Sequence, residues 1–346
     1  MSTPYRHSIA LLNLAALQAQ LSTTMLPGEI LLASGTQAGP TVAFTRGIPA
    51  STTQGAAALL SERDLTRALL RDAGHDVADF GVFLLRSDRR PALSWAENAG
   101  YPVSASPVWT VKESPHVTDS DELVMQIEAV ARLASRRSPG PTHPRARYLV
   151  QKIAGARRIE LSIAHGEVIA RLIDNEPATA DDLHPDLEEL GRSAIHDVPG
   201  LSVGRVWFAL DDPRHPSAGE CKVLDVNPRI TFTRLLQRDE AAAHHAATRL
   251  LQLEADAQGL HLQSRSTCPD AVLTIGGVAL PERAAAQVAQ FCRANFPALS
   301  VTADSSSEIQ VSSTGDAESL GTLQWSLIQG LVPGVRPLHV SIDWLR

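Results

Sequence analysis

Between residues 148 and 226 the chain packs five short apolar stretches of strand composition: Tyr148–Ile153, Arg158–Ala164, Glu167–Ile173, Val203–Leu210 and Cys221–Val226. Branched aliphatic side chains dominate them, as expected of strands that bury at least one face. His165-Gly166 turns the second stretch directly into the third. A polar loop joins the last two, which read as a pair. A helix-period segment, Asp181–Leu190, intervenes, and a Pro/Gly/Arg-rich loop, Ser135–Arg147, precedes the group. Sheets interleaved with helices in this way restrict the chain to an α+β architecture.

Helical periodicity recurs on both sides. The N-terminal fifty residues are apolar and rich in small side chains, with a helix expected around Ile9–Leu21 and a strand at Glu29–Ala33. Ser61 is a fitting N-cap, with Asp64 three positions on and Leu65, Leu69 and Leu70 on one face. Gly74 is placed to end that helix. A strand at Val82–Leu85, a helix at Pro91–Ala99, a strand at Tyr101–Ala105 and an amphipathic helix at Asp119–Leu133 follow. Arg234–Gln258 reads as one long Ala/Leu-rich helix, and a break falls near Gly259–Pro269. The remainder runs βαββαβ, the order of a small ferredoxin-like module. The expected divisions are an extension (1–50), a central region (51–258, its smaller lobe about 101–165) and a C-terminal module (270–346).

Composition excludes more than it selects. Among 346 residues, 31 basic side chains face 38 acidic ones, a net charge of −7. An acidic chain is poorly suited to displacing the counterions of a nucleic acid. No apolar run is long enough to span a membrane, and no basic-then-apolar leader is visible. The three cysteines, Cys221, Cys268 and Cys292, have no metal or disulfide spacing. A cytoplasmic location is expected. His244 and His245 are neighbours on a helix and point about 100° apart, so one metal cannot take both.

Three segments stand in a telling order: "GIPASTTQGAAALLSERDLTRALLRDAGHDV"; "AENAGYPVSASP" followed by "YLVQKIAGARRIELSIAHGEVIARL"; and "LSVGRVWFALDDP" leading to "CKVLDVNPRI". Together, over roughly residues 45–258, they resemble the ATP-grasp superfamily, on the side of cyanophycin synthetase, glutathione synthetase and D-alanine–D-alanine ligase. "LDVNPR" is the sharpest piece. The resemblance implies two α+β lobes gripping ATP, with a carboxylate activated as an acyl phosphate and then attacked by an amine. Magnesium would offset charge on the transferring phosphoryl group. Carried over position by position, it places Asp225 and Asn227 at the metal, where alternate strand positions face two hard oxygen donors one way. Arg229, two residues on, would hold an anionic substrate or phosphate group as the catalytic residue. Lys112, Gln151, Lys152 and Arg157 fall to the nucleotide.

Departures from the pattern are as informative. "YPVSASP" puts Ser106 where the family carries a phosphate-binding lysine, and the following "VWTVKESPHV" has no glycine with which to build an amide cradle. Lys112 is the cation nearest to that gap. Arg157 or Arg158 takes the place of the acid that holds the ribose hydroxyls, and a guanidinium accepts no hydrogen bond. Glu160 falls near a usual basic position. Val206, or Trp207 one residue out of register, replaces the first metal carboxylate; Asp211 and Asp212 would compensate only in a different register. Two readings follow. One is a carboxylate–amine, peptide-type ligase using ATP and Mg2+ on a small amino acid or peptide substrate. The other is a degenerate, non-catalytic relative that binds a metabolite or a partner subunit. The partners expected are small molecules, a second copy, or a partner ligase, with no nucleic acid and no membrane.

Overall fold

The protein is seen here as a computed structural model, which describes residues 8–35, 39–85, 87–109, 115–135, 147–153, 155–216, 220–262, 270–303, 308–314 and 316–345. Lys112 lies outside the described residues. The chain forms two compact units that do not follow chain order: Met1–Ser51 with Arg229–Arg346, and Thr52–Pro228.

The first unit opens with α1 (Ser8–Gln18), β1 (Ser22–Leu26), β2 (Ile30–Ser34), β3 (Thr41–Thr45) and β4 (Ile48–Pro49). Helix α1 is apolar around its circumference, so it is enclosed rather than laid on a surface.

The second unit runs α2 (Gln54–Leu59), α3 (Arg63–Asp72), β5 (Phe80–Leu84), α4 (Arg89–Ala99), β6 (Val103–Pro107), α5 (Ser120–Ser135), β7 (Arg147–Lys152), β8 (Arg157–Ala164), β9 (Glu167–Ile173) and β10 (Glu176–Pro177). A single 3-10 turn at Ala180–Asp182, then α6 (Pro185–His196), β11 (Val203–Leu210) and β12 (Lys222–Asn227) complete it. It holds two antiparallel sheets, ordered β5-β7-β6 and β10-β9-β8-β11-β12. Helices α4 and α5 pack on the smaller sheet around Val103, Ala105, Leu123, Ile127, Tyr148 and Val150. Helix α6 covers one face of the larger, burying Ile159, Leu161, Ile163, Val206, Phe208, Val223 and Val226. At the expected turn, His165 and Gly166 take φ of 48° and 81°, the paired left-handed geometry of a two-residue hairpin.

The chain then returns to the first unit through α7 (Thr233–Arg238), α8 (Glu240–Ala257), β13 (Asp270–Gly276), α9 (Pro281–Asn295), β14 (Ser300–Ala303), β15 (Ile309–Thr314), α10 (Ala317–Ile328) and β16 (His339–Trp344). The expected single helix over Arg234–Gln258 is two, because Asp239 leaves the helical conformation and its carboxylate accepts the Ala242 N–H as the cap of α8. The βαββαβ order is present, with strands paired β14-β15-β13-β16. That sheet does not end at β16: Thr23–Met25 of β1 pair antiparallel with Val340–Ile342, and the array continues through β4 as eight strands. At the seam, Gln324 Oε1 accepts from Asn13 Nδ2 at 2.8 Å and Thr23 Oγ1 at 3.3 Å, while its Nε2 donates to the Val340 carbonyl at 2.7 Å.

The cap of α3 also differs from expectation. Glu62, not Ser61, precedes the helix, and Ser61 Oγ instead donates to the Ala58 carbonyl at the end of α2. Helix α2 is itself capped by Thr53, whose hydroxyl accepts the Ala56 N–H.

Candidate functional site

On the face of the larger sheet opposite α6, cross-strand partners form two rows. Asp225 stands beside Trp207 and Trp207 beside Glu160; Asn227 stands beside Arg205 and Arg205 beside Ser162. Trp207, named above as the out-of-register alternative, lies on this open face, while Val206 points into the α6 core. Between Trp207 and Phe208 the pairing with β12 slips, leaving Leu224 as an extra residue. This bulge keeps Leu224 with Trp207 and Ala209 on the open face and removes its carbonyl from the strand ladder.

Every carboxylate on this face is already engaged. Asp225, 5 % exposed, accepts Arg63 Nε on Oδ2 at 2.7 Å and the Val226 N–H on Oδ1 at 2.9 Å. Arg63 Nη1 also donates to Ser106 Oγ at 2.8 Å, so one guanidinium bridges Asp225 and Ser106. Glu160 accepts Arg205 Nη1 at 2.8 Å and Trp207 Nε1 at 2.9 Å, and the Arg205 guanidinium lies 4.6 Å from the Trp207 ring centre. Among the described residues no group of three His, Cys, Asp or Glu side chains is arranged to hold a metal. Asp211 accepts the Ala156 N–H, and Asp212 accepts the Arg214 and His215 N–H groups.

One turn along α3 from Arg63, Arg67 is wholly buried. Its Nε and Nη2 both donate to the Leu224 carbonyl freed by the bulge, at 2.9 and 2.6 Å, and Nη2 also donates to Gln151 Oε1 at 2.6 Å. Its Nη1 has no hydrogen-bond partner among the described residues. Burial, then the charge of Arg63, pulls the Arg67 pKa down to about 9, still well above neutrality, so the side chain stays cationic. Arg63, Arg67 and Arg71 follow at four-residue spacing, with Arg71 stacked 4.6 Å from the Phe80 ring centre. That stripe is the signal in the sequence that marks these residues; read singly, each passes for an exposed helix charge.

A cavity of about 240 Å³ opens beside this network, walled by Ile153, Ala209 and Leu224 and edged by His116, Gln151, Arg157, Arg158, Asp174 and Asn175. The structure thus brings Gln151 and Arg157 together at one cavity, whose floor includes the residue preceding Asp225. Arg157 Nε donates to Asp174, whose other oxygen accepts the Arg158 N–H at 2.7 Å. Lys152 does not line the cavity: its Nζ donates to the Gly100 and Tyr101 carbonyls at 2.5 and 3.0 Å. Asn227 is half-buried on the open face, and Arg229 is exposed and opens the other compact unit.

No family model matches the chain, and no curated protein matches it. Solved structures do. D-alanine–D-alanine ligase from Bacillus anthracis is similar over 60 % of this chain and 71 % of its own, at 13 % identity and a TM-score of 0.46. The ATP-grasp ligase PsnB is similar over 59 % of this chain and 63 % of its own, at 16 % identity and a TM-score of 0.42. A bifunctional glutathione synthetase from Pasteurella multocida is similar over 66 % of this chain and 41 % of its own, at 10 % identity and a TM-score of 0.44. The chain thus spans less than two-thirds of the last two. No helix among the described residues is long and apolar enough to cross a membrane.

Proposed function

We propose that the Thr52–Pro228 unit is an ATP-grasp-like ligand-binding unit in which arginines of the chain have taken over the charge balance that magnesium supplies to a ligase, and that it does not transfer phosphoryl groups. One observation carries the reading: Asp225, the residue expected to hold the metal, is ion-paired to Arg63 within the same fold. Magnesium sheds water reluctantly and needs carboxylate oxygens free to meet it in octahedral array. Here it would have to displace a guanidinium that is only 12 % exposed, from a carboxylate whose other oxygen is held by the backbone. Glu160 is equally committed, and Trp207 offers no oxygen at all. The residues present do not fit a magnesium–phosphate centre.

The partner of such a unit is a small metabolite, with a second copy or an intact ligase as the alternative. The competing reading, an ATP- and magnesium-dependent carboxylate–amine ligase, is favoured by the shared face of Asp225 and Asn227 and by the adjoining cavity. In it, Arg63 would swing aside as the nucleotide arrives. Calorimetry with magnesium–ATP, paired with an assay for ADP release over a panel of amino acids, separates the two. Wild-type protein is expected to give neither heat nor ADP at millimolar nucleotide. Magnesium-dependent ADP release that disappears in Asp225→Asn would overturn the proposal.

A further inference from the structure

The eight-stranded sheet of the first unit is packed against helices through one face. Helices α9 and α10 bury Leu273, Ile275, Val311, Val340 and Ile342, and the same inward alternation continues through Met25, Leu31 and Phe44. The intervening side chains point the other way. Strand register carries one row of them across six strands: Gln310, Thr274, Ser341, Thr24, Leu32 and Ala43. All six are half-buried rather than enclosed. In the middle of the row, Thr24 Oγ1 and Ser341 Oγ hydrogen-bond at 3.0 Å. The His339 ring lies over Gly276, where a side chain would otherwise stand, and keeps the face level. Among the described residues, the outward positions of these strands carry Asp270 and Asp343 and no Lys or Arg. Charged residues make up 20 % of the whole chain, and a water-facing surface commonly carries about 25–35 %. Loss of charge is the compositional mark of an interface core.

We propose that this face is a dimer interface, closed by a second copy of the chain across a two-fold axis that runs along the row. Such an axis sets every residue of the row against itself. A charged side chain there would meet its like. A hydroxyl or an amide both donates and accepts, so it can bond its own copy, and Leu32 and Ala43 meet as apolar contacts. The rows on either side exchange, so Asp343, two residues past Ser341 on β16, comes over His339 of the second copy and not over its own counterpart. Seven strands about 4.8 Å apart, each offering about five residues of about 3.4 Å, make a face of roughly 570 Å². Two copies enclose roughly 1,100 Å², which passes the ~1,000 Å² expected of a specific contact and lies at the weak end of that class. Two sheets of the same hand stack about 10 Å apart with strands about 30° off parallel. Each chain carries a net charge of −7, so copies approach at least cost through a face with so little charge. This face belongs to the first unit and owes nothing to what Thr52–Pro228 binds.

The test is sedimentation equilibrium of the full chain. Wild-type protein is expected to dimerise with a Kd in the micromolar range. Ser341→Lys and Ser341→Glu are each expected to weaken the dimer at least about 100-fold, because like charges meet on the axis, and an equimolar mixture of the two should restore it. Cooperative melts check that both variants fold. Thr274→Lys, on the same row, replaces either one that does not, and is expected to dissociate the dimer in the same way. Wild-type protein that stays monomeric up to about 200 µM overturns the proposal whatever the variants do, and leaves the face to water or to an unlike partner. Dimers that persist in folded Ser341→Lys or Thr274→Lys put the association on another surface and overturn it too. Lysine and glutamate variants that dissociate alone but fail to pair when mixed take the two-fold axis off this row, which overturns the proposed assembly.

Discussion

Asp225 and Arg63 have side chains only 7 % and 12 % exposed, which makes their pairing a conditional asset. A buried ion pair contributes little over an apolar pair of the same shape, yet removing one member strands a charge. Arg63→Ala and Asp225→Ala should therefore each lower unfolding stability by about 3–5 kcal/mol, and the double variant by clearly less than the sum. Urea denaturation of the four proteins measures this, and strict additivity would show that the two side chains are not coupled. At this scale the sequence was legible in part. Asp225 stands out through its neighbours Asn227 and Pro228, and Ser106 only through the resemblance that leads one to expect a lysine there. Taken singly, Arg63 and Arg67 do not stand out, because nothing in one helical charge says whether it faces water or an acceptor delivered by a strand more than 150 residues away.

Elements were read best where periodicity and composition agree. Strands β8, β9, β11 and β12 fall within a residue or two of their expected bounds, since their aliphatic runs have no competing helical reading. The bulge at Leu224 left no trace in the sequence, because it arises from how β11 and β12 register, not from either strand alone. Backbone geometry at the turn into β8 is more exacting. Gly155 has φ of 66°, and a Cβ there would lie 2.4 Å from the Leu210 backbone nitrogen. Gly74 has φ of 93° but open space around it. Gly155→Ala should cost more than about 2 kcal/mol, whereas Gly74→Ala should cost about 1 kcal/mol, the strain of the left-handed conformation alone. Thermal melts of the pair check this, and equal losses would mean that the backbone around Leu210 relaxes freely.

Across the whole molecule, the seam joining the two ends of the chain was invisible beforehand. Residues 1–50 read as an extension and 270–346 as a module because each has its own local pattern, and no local pattern encodes which distant strand will lie alongside. The structure puts them in one sheet, with Gln324 as the polar tie between α1, β1, α10 and β16. Gln324 is fully buried, so Gln324→Leu leaves Asn13, Thr23 and the Val340 carbonyl without their partner. A loss of about 2–4 kcal/mol is expected from such unsatisfied groups. Hydrogen exchange should show it as faster amide exchange in β1 and β16 together; protection lost in only one of them would mean that the seam is held elsewhere.

The same seam sets a schedule for synthesis. On a ribosome adding about 5–20 residues per second, Met25 emerges roughly 15–60 s before Val340, the residue it pairs with. The segment from Thr52 to Pro228 is complete well within that interval and has its own cores, so it can settle while the first strands wait. For that time β1 presents an unpaired edge to whatever else is newly made, and a nascent chain stalled before its last strand would be the form most prone to stick.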